Sequence, residues 1–310
     1  MPDPTMSADF LDDAYDEFGF LPAHAQWAGL PWTGAPAVAR GQVRGADGAA
    51  LSYLRWGRGD PEVALLHGAG QNAHTWDTLA LALGRSAVAV DLPGHGRSDW
   101  RADRDYLPGP NAAAVAELLD QVAPRAGTVI GMSLGGLTAI ALAAARPDLV
   151  GRLVLVDITP SPPQLPAADP GSRPMPVQLM SGPRTYPSWD AIVDAVHATM
   201  PHRARHEVIP GVRHNARRLN DGSWVWRYDR LFGDADPRPR IATLWADLGR
   251  IAVPAMLVRG ALSPVVTDEA AAGFRRTVPD GRVETVPGAG HSVQSDQPVA
   301  LAGLIEDFLR

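Results

Sequence analysis

Short apolar, β-branched runs alternate along this chain with longer stretches whose apolar residues recur every three to four positions. Ala50–Trp56, Val63–Leu66, Ala87–Val90, Thr128–Gly131 and Leu153–Val156 read as strands. Between them, Thr75–Leu83, Ala112–Gln121 and Leu134–Ala145 read as helices. Such alternation predicts a parallel sheet covered on both faces. The rhythm breaks after Asp157: residues 159–183 are crowded with proline, and helical pieces rich in Trp, Arg and His follow to about Leu248. It resumes at Val253–Val258, Arg282–Thr285 and a closing helix, Val299–Leu309. The break therefore reads as an insertion (158–248) inside one α/β domain (42–157 and 249–310), preceded by an accessory segment, 1–41. No internal repeat is visible.

One junction in this pattern carries chemistry. Gly131-Met132-Ser133-Leu134-Gly135 places a serine between two glycines, directly after an apolar strand and directly before a small-residue helix. A serine hydroxyl attacks well only when held out at a sharp turn beside a base and oxyanion donors. Glycines at both ends remove the Cβ atoms that would clash where strand folds back on helix. His291, in Pro287-Gly288-Ala289-Gly290-His291-Ser292, follows the last strand on a glycine loop and is the best-placed base. The loop His67-Gly68-Ala69-Gly70 follows Val63–Leu66 and aims the Ala69 amide at a developing oxyanion. The Leu134 amide, at the start of the helix after Ser133, is the second donor. His67 itself reads as a brace for its loop.

Composition narrows the chemistry. The 310 residues, 45% hydrophobic and 20% charged, fit one large globular domain with an insertion. A net charge of −6 gives no reason to expect nucleic acid as a partner. No run approaches a membrane span, and Met1 to Phe20 lacks a basic, apolar signal pattern, so the cytoplasm is the default location. The absence of Cys excludes thiolate catalysis and Cys-ligated metals. Every basic side chain other than histidine is Arg, which removes Schiff-base chemistry and a lysine-bearing phosphate loop.

The glycine loop has a second reading. Gly68-Ala69-Gly70-Gln71-Asn72-Ala73 fits a dinucleotide fingerprint, with Asp91 at the spacing of a ribose-binding acid, and would imply an NAD(P)-binding oxidoreductase. That reading leaves Ser133 and His291 unused, and at least one strand precedes the loop.

As a set, His67-Gly68-Ala69-Gly70, Asp91-Leu92-Pro93-Gly94-His95-Gly96-Arg97-Ser98, Gly131-Met132-Ser133-Leu134-Gly135-Gly136 and Gly288-Ala289-Gly290-His291 resemble the α/β-hydrolase family over residues 50–310. The resemblance implies a mostly parallel eight-stranded sheet flanked by helices, with a helical cap inserted after the sixth strand. It also implies a cofactor-free, metal-free serine hydrolase acting on an ester, thioester, lactone or β-diketone carbon–carbon bond.

The chain departs from the family at the triad acid. The usual carboxylate after the seventh strand is absent, and Ser263 and Pro264 stand there. Asp157, ending the sixth strand, is the expected replacement, with Asp268 as the alternative acid and an acid-free dyad as the remaining possibility. Trp76, Met132, Trp189, Trp224, Trp226, Tyr228 and Trp245 are expected to line a pocket for a small-molecule substrate with an apolar or aromatic acyl or alcohol group. The same residues also fit plain packing. The basic stretch from His202 to Arg218 reads as a solvated helix face or an entrance for an anionic substrate. His202 and His206 have metal-ligand spacing but no carboxylate to complete a site. A lyase or cyclase and a non-catalytic binding protein stay open beside the hydrolase. Oligomeric state is not legible.

Overall fold

The computed structural model describes residues 15–161, 183, 185–200, 203–229 and 238–310. One sheet is built from eight strands: β1 (Val38–Arg44), β2 (Ala50–Trp56), β3 (Val63–Leu66), β4 (Ala87–Val90), β5 (Thr128–Met132), β6 (Arg152–Val156), β9 (Ala255–Gly260) and β10 (Arg282–Val286). Their order across the sheet is β1-β2-β4-β3-β5-β6-β9-β10. From β4 to β10 every pairing is parallel, while β2 runs antiparallel to both β1 and β4. Strands β3, β4 and β5 are buried throughout, as their unbroken apolar runs require of strands covered on both faces.

Two apolar layers sandwich the sheet. One contains α3 (Pro108–Val122), α4 (Leu134–Ala145) and the inner face of α9 (Asp268–Thr277). The other contains α1 (Leu21–Trp27), α2 (Asp77–Leu83), the short α10 (Val293–Asp296) and α11 (Pro298–Leu309). α4 is apolar almost all round because it packs against the sheet, α3 and the short α8 (Leu244–Leu248) together. Each fully buried Leu or Ile in these layers contributes about 1.5–3 kcal/mol through its removal from water.

The insertion after β6 contains α5 (Trp189–Thr199), α6 (Arg205–Asn215) and a small hairpin, β7 (Ala216–Arg218) with β8 (Trp224–Trp226). Together they bury their own cluster around Ile192, Val193, Val208 and Val212. The one-turn α7 (Arg238–Ala242) leads from there into α8.

Three boundaries differ from the sequence reading. The sheet begins at Val38, inside the segment read as accessory, and Leu21 and Ala25 of that segment are buried. The insertion is not purely helical, since β7 and β8 lie within it. Its expected end at 248 is too late, because Leu244 and Leu248 already pack in the core beside α4. No helix among the described residues is long and apolar enough to cross a membrane.

Candidate active site

Parallel strands end on one edge of the sheet, and the chemistry-bearing loops gather there. Ser133 is the hinge between β5 and α4, with φ +51° and ψ −117°. A non-glycine residue in this region carries about 1–3 kcal/mol of strain, which only a well-packed surround sustains. The packing supplies it. A Cβ on Gly135 would fall on the carbonyl of Leu66, and one on Gly131 would fall on the carbonyl of Gly135. The Ser133 amide donates to the carbonyl of Val156 at 3.2 Å, tying the elbow to the neighbouring strand.

The loop after β3 lies against the serine: a Cβ on Gly68 would come 3.2 Å from that of Ser133. Two buried histidines shape this loop, both with Nδ1 as the protonated nitrogen. His67 Nδ1 donates to the Gly68 carbonyl at 2.7 Å, and Nε2 accepts from the Leu92 amide at 2.9 Å. His95 Nδ1 donates to the Pro93 carbonyl, and Nε2 accepts from the Gly70 amide at 3.1 Å. Burial holds both rings neutral, pushing His95 down to about 3 and His67 in the same direction. The Gly68 amide donates to Gln71 Oε1 at 3.0 Å. The amides of Gly68 and Gly70 are thus committed, and among the described residues Ala69 retains the loop's uncommitted donor. The Leu134 amide is in the first turn of α4, where N–H groups lack helical partners.

Asp157 follows β6 at φ +51°, is fully buried, and anchors its amide on the Val258 carbonyl at 2.7 Å. Its Oδ2 meets His291 Nδ1 at 2.7 Å, and its Oδ1 accepts the Gly260 amide at 3.0 Å. The Ser263 hydroxyl donates to the same Oδ2. The His291 loop is packed tightly enough that a Cβ on Gly260 would collide with the Gly290 carbonyl. Asp296 holds the Gly290 amide at 2.9 Å and is itself ion-paired with Arg203 of the insertion. The structure thus brings Asp157 and His291 together. Asp268 points elsewhere: its side chain is 91% exposed and pairs with Arg259 at 2.6 Å.

The aromatic residues divide. Trp76 and Met132 are fully buried in the core layer that holds α2, so neither is a free pocket wall; only the Met132 sulfur reaches the Gly68 loop. Trp245 lines a groove of about 420 Å³ with Ser161, Val265, Thr267, Gly273 and Arg276, on α8 and α9 rather than beside Ser133. Trp189 and Trp224 pair at 4.9 Å beneath the Arg213 guanidinium. Trp226 stacks on Tyr228 at 5.7 Å, and Tyr228 stands 6.3 Å from the His95 ring. Tyr228 thus sets the insertion's buried aromatic cluster against the histidine that holds Gly70. Asn215 also reaches Gly70, donating to its carbonyl at 2.6 Å.

Asp91 is not available to a ribose. It is fully buried, paired with Arg40 at 2.7 Å, and it accepts the amides of Ala73 and Arg97. This removes the acid on which the dinucleotide reading depends. Beside it lies a network absent from the sequence reading. His74 Nδ1 meets Asp77 at 2.9 Å, its Nε2 meets Glu17 at 3.1 Å, and its ring stacks on His214 at 3.7 Å. Glu17 also holds Arg40 at 2.6 Å. Among the described residues, His74, Asp77 and His214 are the group whose spacing suits a metal ion, but carboxylates already occupy both nitrogens of His74. His202 lies outside the described residues, and His206 packs 5.8 Å from Trp27.

Ser263, Gln71 and Asn215 were missed as site residues. Ser263 alone had a signal, because it stands where a carboxylate was expected.

Residues 63–304 match the alpha/beta hydrolase family. Esterase Rv0045c of Mycobacterium tuberculosis is 48% identical over 297 residues, covering 95% of this chain and 96% of that protein. A solved structure of that esterase superposes with a TM-score of 0.83, covering 96% of this chain and 99% of the other. An sn-1-specific diacylglycerol lipase of Mus musculus, ABHD11, is 29% identical, covering 80% of this chain and 81% of the lipase.

Proposed function

The chain belongs to the alpha/beta hydrolase family, and from that premise we propose that it is a serine esterase working through Ser133, His291 and Asp157. The carrying observation is the 2.7 Å contact between His291 Nδ1 and Asp157, whose strand lies beside the strand that ends at Ser133, a serine held at positive φ between two glycines.

In this reading His291 Nε2 takes the Ser133 proton as Oγ bonds to the ester carbonyl carbon. The carbonyl oxygen gains the charge and is held by the Ala69 and Leu134 amides. His291 then gives its proton to the departing alcohol as the carbon–oxygen bond breaks. Water repeats the sequence on the acyl-serine and releases a carboxylic acid, restoring both residues. Asp157 keeps Nδ1 protonated and steadies the imidazolium. Tyr228, against the His95 ring, and Trp226 stacked on it favour an ester with an apolar or aromatic part. A thioester or lactone fits the same steps. The esterase among the relatives favours hydrolysis over a lyase or a binding role.

Intact-mass labelling with a small fluorophosphonate tests the assignment. Wild type is expected to take up one label, Ser133→Ala none, and Asp157→Asn to label about 10⁴-fold more slowly. An unlabelled wild type would sink the esterase reading and favour a lyase or binder. Equal rates in wild type and Asp157→Asn would remove Asp157 from the triad.

A further inference from the structure

We infer that Ser263 is a positioning residue, whose hydroxyl fixes the Asp157 carboxylate in the orientation that engages His291; the inference rests on the triad proposed above. Asp157 is fully buried, and a buried carboxylate needs donors directed at its lone pairs. Three reach it: the Gly260 amide on Oδ1, and His291 Nδ1 and the Ser263 hydroxyl on Oδ2. Only the Ser263 bond shares an oxygen with His291 without itself belonging to the proton-transfer chain.

The hydroxyl has little choice of partner. Its oxygen accepts the Val265 amide at 3.2 Å, so its single proton is directed to Asp157. The loop holding it is anchored to the segment that leads to the histidine: the Ala261 amide donates to Val286 at 3.0 Å, and the Leu262 amide to Ala289 at 2.9 Å. Ser263 is therefore registered to the same segment that carries His291. Remove the hydroxyl, and the carboxylate keeps one donor per oxygen and gains freedom to turn about its Cβ–Cγ bond. His291 then loses part of its orientation, while no residue that touches substrate is itself replaced.

Steady-state ester hydrolysis and fluorophosphonate labelling of Ser263→Ala, Ser263→Thr, Asp157→Asn and the Ser263→Ala/Asp157→Asn pair form the test. Ser263→Ala is expected to lower kcat about ten- to a hundredfold with KM unchanged, the scale of one hydrogen bond to a charged group. Ser263→Thr, which keeps the hydroxyl, should recover most of that loss. In the Asp157→Asn background Ser263→Ala should cost nothing further, because its effect passes through the carboxylate. Equal losses in both backgrounds, no loss in wild type, or a loss matched by a large fall in melting temperature and not restored by threonine would each overturn the inference. If Asp157→Asn itself cost nothing, the triad reading would fail instead, and the two failures are told apart in one data set.

Discussion

Two histidines of this protein meet a carboxylate through Nδ1 at nearly the same distance, and they are built for opposite ends. His291 meets Asp157 at 2.7 Å on a glycine loop, with its side chain 12% exposed. His74 meets Asp77 at 2.9 Å, is 3% exposed, and has a second carboxylate, Glu17, on its other nitrogen. Burial alone would push His74 down, yet Asp77 and Glu17 carry it up to about 9. A ring with carboxylates on both nitrogens is a fixed cation, unsuited to passing protons. A ring with one nitrogen pinned and no carboxylate given on the other can serve as the base proposed above. The lesson concerns the second nitrogen: its surroundings, more than the shared imidazole–carboxylate contact, separate a proton carrier from a structural charge.

The comparison breaks first at His291. His291→Gln is expected to lower kcat/KM by at least about 10⁴-fold, read by ester hydrolysis, while melting temperature moves little. His74→Gln should do the reverse. It leaves Asp77 and Glu17 short of a cation in a buried network, and calorimetry should show a loss of about 3–5 kcal/mol with kcat nearly intact.

The same variant tests a pH dependence. Because the folded state raises His74 from 6.5 to about 9, its stabilisation is complete below about pH 6.5 and fades as pH rises through 9. Glu17 works from the other side. Burial would raise it, but His74 and the neighbouring arginines bring it from 4.5 down to about 2, so its share is complete above pH 4.5 and fades toward 2. The alkaline loss of wild-type stability should therefore flatten in His74→Gln; an unchanged slope would show that His74 is not the fixed cation. Smallest is Asp268→Asn. With its carboxylate on the surface against Arg259, rate should be unchanged and stability should move by no more than about 0.5 kcal/mol.

Much of the central sheet was legible because β3 to β6 are buried on both faces and read as unbroken apolar runs. β1 escaped because it is an edge strand, half-exposed along its length, with Arg and Gln alternating among its few apolar residues. The elbow and the His291 loop stood out through their glycines, whose close contacts only glycine permits. The Glu17–His74–Asp77–His214 network was illegible for a different reason. Its partners lie as much as 140 positions apart (His74 to His214) and belong to the N-terminal segment, the core and the insertion. Aromatic content likewise predicted rings but not their placement: Trp76 went to the core and Trp245 to another groove, while Tyr228, with Trp226 stacked on it, meets the His95 ring.

Ser133 and Asp157 follow adjacent parallel strands, and both are non-glycine residues held at φ +51°. Backbone geometry at each would be easier for glycine, yet glycine has no side chain with which to attack or to orient a histidine. The two positions differ in what that exchange would leave behind. Asp157→Gly would orphan the buried Gly260 amide, whereas Ser133→Gly removes a hydroxyl that no buried donor depends on. A laboratory selection on heat resistance alone would therefore drift toward Ser133→Gly as a neutral or favourable change and, on the assignment proposed above, would return a sturdier, inert protein. Selection for turnover pulls the other way at the same position, so thermostable descendants of this chain must gain their margin elsewhere.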